Sequence, residues 1–251
     1  MKIGFIGTGR IAEACVRGLA GKGHDIYITE RSGPISKHLA SIIPEVQVLS
    51  VQQVVDMSET VCLALTQSVA EQVLENVVFR KDQSVVSFML GVNIARLHQM
   101  CAPAVDICIT IPLPMIATGS CPLPVFPNSS ALYKMYGNTN KVIILDSESA
   151  LAPHFAATAL VSTILSQLAV ARAWLGEKTG STTKAEAYLL SLMDGTFACL
   201  PKDGNGRISE ALGSLATEGG LNAQLRKHMS EAGVEEALDG GLNILGTRLN
   251  I

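Results

Sequence analysis

Short, almost uninterrupted apolar runs alternate with amphipathic stretches over the first 150 residues. "KIGFIG" reads as a buried strand, and "RIAEACVRGLAGKG" follows with Ile11, Ala14, Cys15, Gly18 and Leu19 at helical spacing. "DIYITE", "VQVL", "TVCLALT", "SVVSFML" and "VDICITIP" predict five more strands. Helices are expected through "AEQVLENV" and "NIARLHQM", the latter capped by Asn93. Strands of near-continuous apolar character separated by helices predict a parallel sheet covered on both faces. After "NKVIILDSE" only helical patterns remain, with "GEKTGS" and "PKDGNG" as loops. The expectation is an α/β Rossmann domain over residues 1–148 and an all-helical domain over 149–251.

Within the second part, Ser149 to Ala171 contains no charged residue. That length is enough to span a bilayer. Pro153, His154, Gln167 and several hydroxyls interrupt it, and no second such segment exists. A helix buried in a core or a subunit interface is therefore expected, with no membrane partner. The same apolar surface predicts a homodimer, or a higher homo-oligomer, built from residues after 148.

Composition narrows the class further. Of 251 residues 48% are hydrophobic and 16% charged, which allows a large core. A net charge of -3 gives no basic footprint for nucleic acid. The six cysteines form no CxxC pair and mostly lie in apolar runs, so buried, reduced thiols and a cytoplasmic location are expected. The opening run is too short for a signal-peptide core. His24, His38, His98 and His228 lack ligand spacing, and no metal site is expected. No nucleophile elbow points to hydrolysis.

The clearest chemistry lies between the first strand and helix. "GFIGTGRIAEA" reads G-x-G-x-x-A, with Gly7, Gly9 and Ala12. Gly7 permits the tight turn, Gly9 lets a pyrophosphate approach, and the N–H groups of Arg10 and Ile11 open the helix towards it. The turn Gly7, Thr8, Gly9, Arg10 and Ile11 is thus the candidate dinucleotide site. Glu30 ends the second strand where a carboxylate would bond a ribose 2′-hydroxyl and favour NAD. Arg31 and Ser32 adjoin it and favour the 2′-phosphate of NADP. The two donors put NADP first and leave NAD possible.

These segments resemble the pyrroline-5-carboxylate reductase family over nearly the whole chain. "MKIGFIGTGRIAEA" resembles the family's opening and "ERS" its Asn-Arg-Ser. "SVVSFMLGVNIARL" resembles Val-Val-Ser-x-x-Ala-Gly-x-x-Ile-x-x-Leu. "IPLPMIATG" is similar to Met-Pro-Asn-Thr-Pro-x-x-x-Gly, and "TEGGLN" to Ser-Pro-Gly-Gly-Thr-Thr. The resemblance implies a Rossmann domain feeding a helical domain that dimerises by interleaving helices. It also implies NADPH-dependent reduction of a cyclic imine, as in proline biosynthesis. Thr66 and Gln67 stand where the family has Lys-Pro beside the cofactor, and Leu113 where it has Asn. Gly219 and Gly220 match the family's Gly-Gly pair, which starts a helix beside the substrate. Leu221 and Asn222 replace its two Thr, and Asn222 keeps one group that donates and accepts.

The family's Ser-Gly-Ser-Gly-Pro, which exposes N–H groups to a substrate carboxylate, aligns with "TALVS" over 158–162. An unbroken helix is expected there, its N–H groups committed to carbonyls four residues back. Free pyrroline-5-carboxylate is then not the expected substrate. On that helix His154, Thr158, Ser162 and Ser166 recur at intervals of four and predict one polar stripe. If the stripe faces the substrate, His154 is its proton donor and Thr158 and Ser162 line the site. Otherwise its hydroxyls bond back to the helix. Three readings stay open: an NAD(P)H-dependent reductase of a C=N or C=O group, a non-catalytic dinucleotide-binding dimer, and a deazaflavin-dependent reductase.

Overall fold

The computed structural model describes residues 1–30, 33–201 and 204–251, in two compact units, Met1–Phe155 and Ala156–Ile251. Arg31 and Ser32 lie outside the described residues, as do Lys202 and Asp203 of the expected "PKDGNG" loop.

The first unit is a sheet with helices on both faces. It opens with β1 (Lys2–Ile6), α1 (Arg10–Leu19), β2 (Asp25–Thr29), α2 (Gly33–Ile42) and β3 (Val46–Leu49). It continues with α3 (Val51–Met57), β4 (Thr60–Leu63), α4 (Gln67–Leu74), β5 (Ser84–Ser87), α5 (Ile94–Met100) and β6 (Asp106–Thr110). The expected strands are all present. Asn93 caps α5, its Oδ1 accepting the Arg96 N–H at 2.8 Å. The helix expected through "AEQVLENV" starts and ends earlier, as α4 runs from Gln67 to Leu74.

Three further elements complete the sheet: β7 (Pro122–Phe126), α6 (Ser130–Tyr136) and β8 (Lys141–Ile144). The strand order is β3-β2-β1-β4-β5-β6-β7-β8. All neighbours are parallel except β6 and β7, which pair antiparallel through Ile109–Phe126 and Thr110–Val125. The reversal of order between β1 and β4 is the switch point at which open α/β sheets bind ligands.

Alternation along the strands supplies two cores, one per face. Ile3, Phe5, Ile26, Ile28 and Cys62 pack with Val16 and Leu19 of α1 and Leu132 and Tyr136 of α6. Tyr27, Val61, Leu63, Val85 and Ile109 pack with Val54, Leu74 and Leu97 of α3, α4 and α5. The Tyr136 hydroxyl donates to the Cys15 carbonyl at 3.0 Å and ties α6 to α1. Five of the six cysteines are buried and free, and Cys199 is exposed.

The second unit is helical. α7 (Leu151–Ala157) leads into it, followed by α8 (Leu160–Thr179), α9 (Thr182–Ala198), α10 (Arg207–Ser214), α11 (Leu221–Glu231) and α12 (Val234–Arg248). Two expectations are corrected. "GEKTGS" is not a loop, since α8 continues to Thr179 and closes on Gly180. The helix over 158–162 is not unbroken: Thr158 and Ala159 form a turn between α7 and α8. Its hydrogen bonds tighten to three-residue spacing, Ala159 N–H to the Ala156 carbonyl at 3.1 Å, Val161 to Thr158 at 3.3 Å and Ser162 to Ala159 at 3.2 Å. The four-residue polar stripe therefore falls on two helices, with His154 before the break and Ser162 and Ser166 after it.

Among the described residues of this unit Ala185 is the one side chain beyond glycine that is buried. Its apolar residues face outward instead, Trp174 at 61% exposure among them.

Candidate functional site: a cleft at the glycine turn

The turn after β1 is fixed from β2. The Gly7 N–H donates to Thr29 Oγ1 at 2.9 Å, and the Thr8 hydroxyl donates to the Thr29 carbonyl. Thr8 and Thr29 are both buried. Gly7 has φ +94°, and a Cβ there would run into the Ala64 carbonyl after β4. Only glycine accommodates both constraints. Gly9 differs: its φ is -87°, and a Cβ would meet nothing within 4 Å. The open space above Gly9 is the kind that close approach of a ligand requires.

Two cavities flank this turn and share Leu65 as a wall. One, of about 590 Å³, is lined by Gly7, Thr29, Glu30 and the start of α3. Glu30 is exposed there and lies 4.0 Å from Lys37 of α2, a pair too solvated to fix either side chain firmly. The other, of about 520 Å³, runs from Gly9, Arg10, Ile11 and Ala12 across Thr66 and Gln67 to the ends of β5 and β6. Thr66 caps the start of α4 in an extended conformation, and Gln67 sits against Gly91, whose added Cβ would approach Gln67 Oε1 to 2.8 Å. Phe88, Met89, Leu90, Ile111, Pro112, Leu113 and Phe155 complete the second cavity. Arg10 is its single charged lining residue among those described.

The sequence-derived residues thus divide between two cavities, with Gly7 and Glu30 on one side and Gly9, Arg10, Ile11, Thr66 and Gln67 on the other. The Thr8 side chain lies beneath the turn, engaged with Thr29. His154 is exposed, with Nδ1 held 2.7 Å from the Ala150 carbonyl, so Nδ1 carries the proton and Nε2 is left for other partners. The residue of α7 that lines the cavity is its neighbour Phe155. Sequence reading missed Thr29 and Phe155, because a threonine ending a strand and an aromatic on a short helix carry no motif.

In the second unit, Ser162 Oγ donates back to the Ala159 carbonyl at 3.0 Å, and Thr158 sits in the turn before α8. Gly219 has φ +75°, a left-handed turn that glycine supports, and Gly220 is the N-cap of α11. The pair therefore lies in the turn between α10, which ends at Ser214, and α11, which Gly220 starts. Asn222 is exposed on the first turn of α11.

The buried thiols are poor nucleophiles. Burial pushes Cys15, Cys101 and Cys108 up to about 12. Among the described residues no cluster of His, Cys, Asp and Glu could hold a metal.

Residues 2–91 match the family described as NADP oxidoreductase, coenzyme F420-dependent. No curated protein sequence matches the chain. The pyrroline carboxylate reductase of Plasmodium falciparum, crystallised with NADP bound, superimposes with a TM-score of 0.81 at 13% identity, covering 99% of this chain and 97% of that one. The 1-pyrroline-5-carboxylate reductase of Streptococcus pyogenes gives 0.79 at 17% identity, covering 99% and 98%. An imine reductase from Pseudomonas sp. gives 0.61 at 15% identity, covering 99% and 87%. The chain has the fold of the pyrroline-5-carboxylate reductases, a Rossmann unit followed by a helical one.

Proposed function

We propose that the chain is a divergent member of the pyrroline-5-carboxylate reductase family, an NADP-dependent oxidoreductase that reduces a cyclic imine or a related C=N or C=O group. The observation that carries this reading is the glycine turn at the switch point. It is locked by Thr29, open above Gly9, and continuous with a cleft along the strand ends. The resemblance in "SVVSFMLGVNIARL" and the NADP-bound relative of the same fold support it.

The residues present fit a dinucleotide. The space above Gly9 and the N–H groups of Arg10 and Ile11 hold the pyrophosphate at the start of α1. Glu30, Arg31 and Ser32 meet the adenosine ribose and its 2′-phosphate, and Thr66 and Gln67 flank the path towards the ends of β5 and β6. When bound, the reduced cofactor supplies a hydride to the substrate carbon, and the substrate nitrogen or oxygen takes a proton. The apolar residues after β5 and β6 exclude water from that region.

Asn222, His154, Thr158, Ser162 and the Gly219–Gly220 pair are proposed as substrate-side groups. The Asn222 amide can donate and accept, and His154 Nε2 can exchange a proton. The assembly proposed with this function is a homodimer formed through the helical unit, in the cytoplasm.

The test is calorimetric titration with NADPH and NADH, followed by NADPH oxidation against a panel of cyclic imines and small carbonyl compounds. NADPH is expected to bind more tightly than NADH. With an active substrate, Asn222→Ala should lower kcat/KM by about tenfold or more, as loss of a substrate hydrogen bond does. Wild-type turnover in both Asn222→Ala and His154→Ala would remove these two residues from the mechanism. Binding of NADPH without turnover of any panel member would favour a non-catalytic dinucleotide-binding dimer.

A further inference from the structure

We infer that Phe155 is the wall against which the nicotinamide ring of the proposed cofactor rests, and that Glu148 is the positioning residue that keeps it there. The inference rests on the proposed dinucleotide-dependent reduction and adds two residues to its site.

The two cavities set the direction of the cofactor. A pyrophosphate at Gly9, Arg10 and Ile11 leaves half of the dinucleotide on each side of the glycine turn. The adenosine half belongs to the cavity that holds Glu30. The nicotinamide half then takes the cavity that runs from Arg10 to the strand ends, which Phe155 lines together with Phe88, Met89 and Ile111.

Packing explains why Phe155 stands there. Leu151 and Phe155 are four residues apart on α7 and share one face of it. Leu151 is buried in the same core cluster as Met89 and Ile111. One turn further along that face comes Phe155, at the cavity that Met89 and Ile111 also line. Phe155 is 41% exposed, whereas Leu151 is buried. A planar ring that settles on Phe155 covers apolar surface that water now touches, and the pairing of two rings adds to that gain.

The chain leading into α7 is held at three points. Leu145 and Leu151 are buried in the same cluster. Between them, in the short helical turn Glu148–Ala150, Glu148 Oε1 accepts the N–H of Ile94, the first residue of α5, at 2.8 Å. A hydrogen bond from a backbone N–H to a carboxylate is among the stronger ones a side chain can make. Residues Phe88 to Gly91 line the cavity, and Ile94 follows three residues later. Glu148 thus ties the segment that carries Phe155 to a segment that carries another wall of the same cavity.

The experiment is calorimetry on the full chain with two ligands, NADPH and 2′-phospho-ADP-ribose, which is the cofactor without its nicotinamide. Phe155→Ala is expected to weaken NADPH by about tenfold, equivalent to about 1.4 kcal/mol, and to leave 2′-phospho-ADP-ribose unchanged. Unchanged binding of that fragment also shows that the variant folds. Phe155→Tyr, which keeps a ring, should retain most of the NADPH affinity. Glu148→Ala should weaken NADPH several-fold without effect on the fragment, and Glu148→Gln, which keeps an acceptor, should restore it. In the Phe155→Ala background Glu148→Ala should add nothing, since the ring it acts through is gone. Wild-type NADPH affinity in Phe155→Ala overturns the inference, as does an equal loss for both ligands. No effect of Glu148→Ala alone, or an additive one in the double variant, overturns the role given to Glu148. Binding of neither ligand by the unmodified protein is a separate result: it removes the proposed function, and this inference with it.

Discussion

The Thr29 hydroxyl accepts the Gly7 N–H at 2.9 Å, while the Thr29 carbonyl accepts the hydroxyl of Thr8. One strand-end threonine therefore holds both sides of the turn proposed to meet the pyrophosphate. Both bonds are buried, so neither partner can fall back on water. Thr29→Val keeps the shape and the carbonyl but removes the acceptor of Gly7. An orphaned buried N–H costs about 1–3 kcal/mol. Chemical unfolding should show a loss of that size, and calorimetry a several-fold weaker NADPH affinity. Thr29→Ser, which restores the acceptor, should recover most of both. Wild-type stability in Thr29→Val would show that the turn holds without this bond.

Gly7 and Gly9 are expected to fail in different ways. A Cβ at Gly7 meets the Ala64 carbonyl, and φ +94° is strained for any other residue. Gly7→Ala should lower the melting temperature. A Cβ at Gly9 meets no neighbour within 4 Å and φ there is ordinary, so Gly9→Val should fold with little change in Tm. Its isopropyl group would then stand in the space proposed for the phosphates. Calorimetry should find no NADPH binding. Unchanged affinity in Gly9→Val would sink the assignment of this turn.

Much of the first unit was legible because its signals are local. An apolar strand, a glycine turn and an amphipathic helix spell out β1, α1 and β2 without help from tertiary contacts. Asn93 announced α5 in the same way. β7 was not legible, since Pro122 and Pro124 interrupt "PLPVF" and proline argues against a strand. It is admitted here because β6 and β7 share only a two-pair antiparallel register. α3 was missed although Ser50 and Gln53 carry its start signal, the Ser50 N–H donating to Gln53 Oε1 at 3.1 Å. The break at Thr158–Ala159 has no glycine or proline to mark it. Its tightened turn is invisible to a periodicity argument that counts only apolar residues.

The buried cysteines predict a loss of stability at high pH. Cys15, Cys101 and Cys108 stand at about 12 in the fold against an ordinary value of 9.0. Between those values the folded thiols keep protons that the unfolded chain has released. The folded state then binds more protons, so stability falls as pH rises. Each such thiol contributes about 1.4 kcal/mol per pH unit over that window at most. Urea unfolding should show a lower midpoint at pH 10.5 than at pH 8. Cys101→Ala, with one thiol fewer, should show a shallower fall. Equal midpoints at the two pH values would mean that these thiols are not held protonated by the fold.

The helical unit supplies the strongest argument for assembly. Both apolar cores belong to residues before 152, whereas α8 to α12 bury a single side chain beyond glycine, Ala185, among the described residues. Trp174, Leu165 and Val170 on α8 and Phe197 on α9 are more than half exposed. The segment Glu148–Thr179 is apolar and long enough to cross a membrane by length and composition alone. Yet α8 ends in Glu177 and Lys178, and Arg172 pairs with Glu186 of α9 at 3.4 Å, so charges run into its apolar surface. Helices with so little internal burial cannot offset their ordering entropy alone. A second copy offers the same apolar faces, and a two-fold axis makes them self-complementary. Analytical ultracentrifugation at micromolar concentration should find a dimer or a multiple of it, without detergent. Melting temperature should rise with protein concentration, because dissociation and unfolding of these helices are coupled. Trp174→Glu, which places a charge on the proposed interface, should favour the monomer and lower Tm together. A stable monomer of the unmodified chain at that concentration would overturn the assembly, and with it the account of why these helices leave their apolar side chains uncovered.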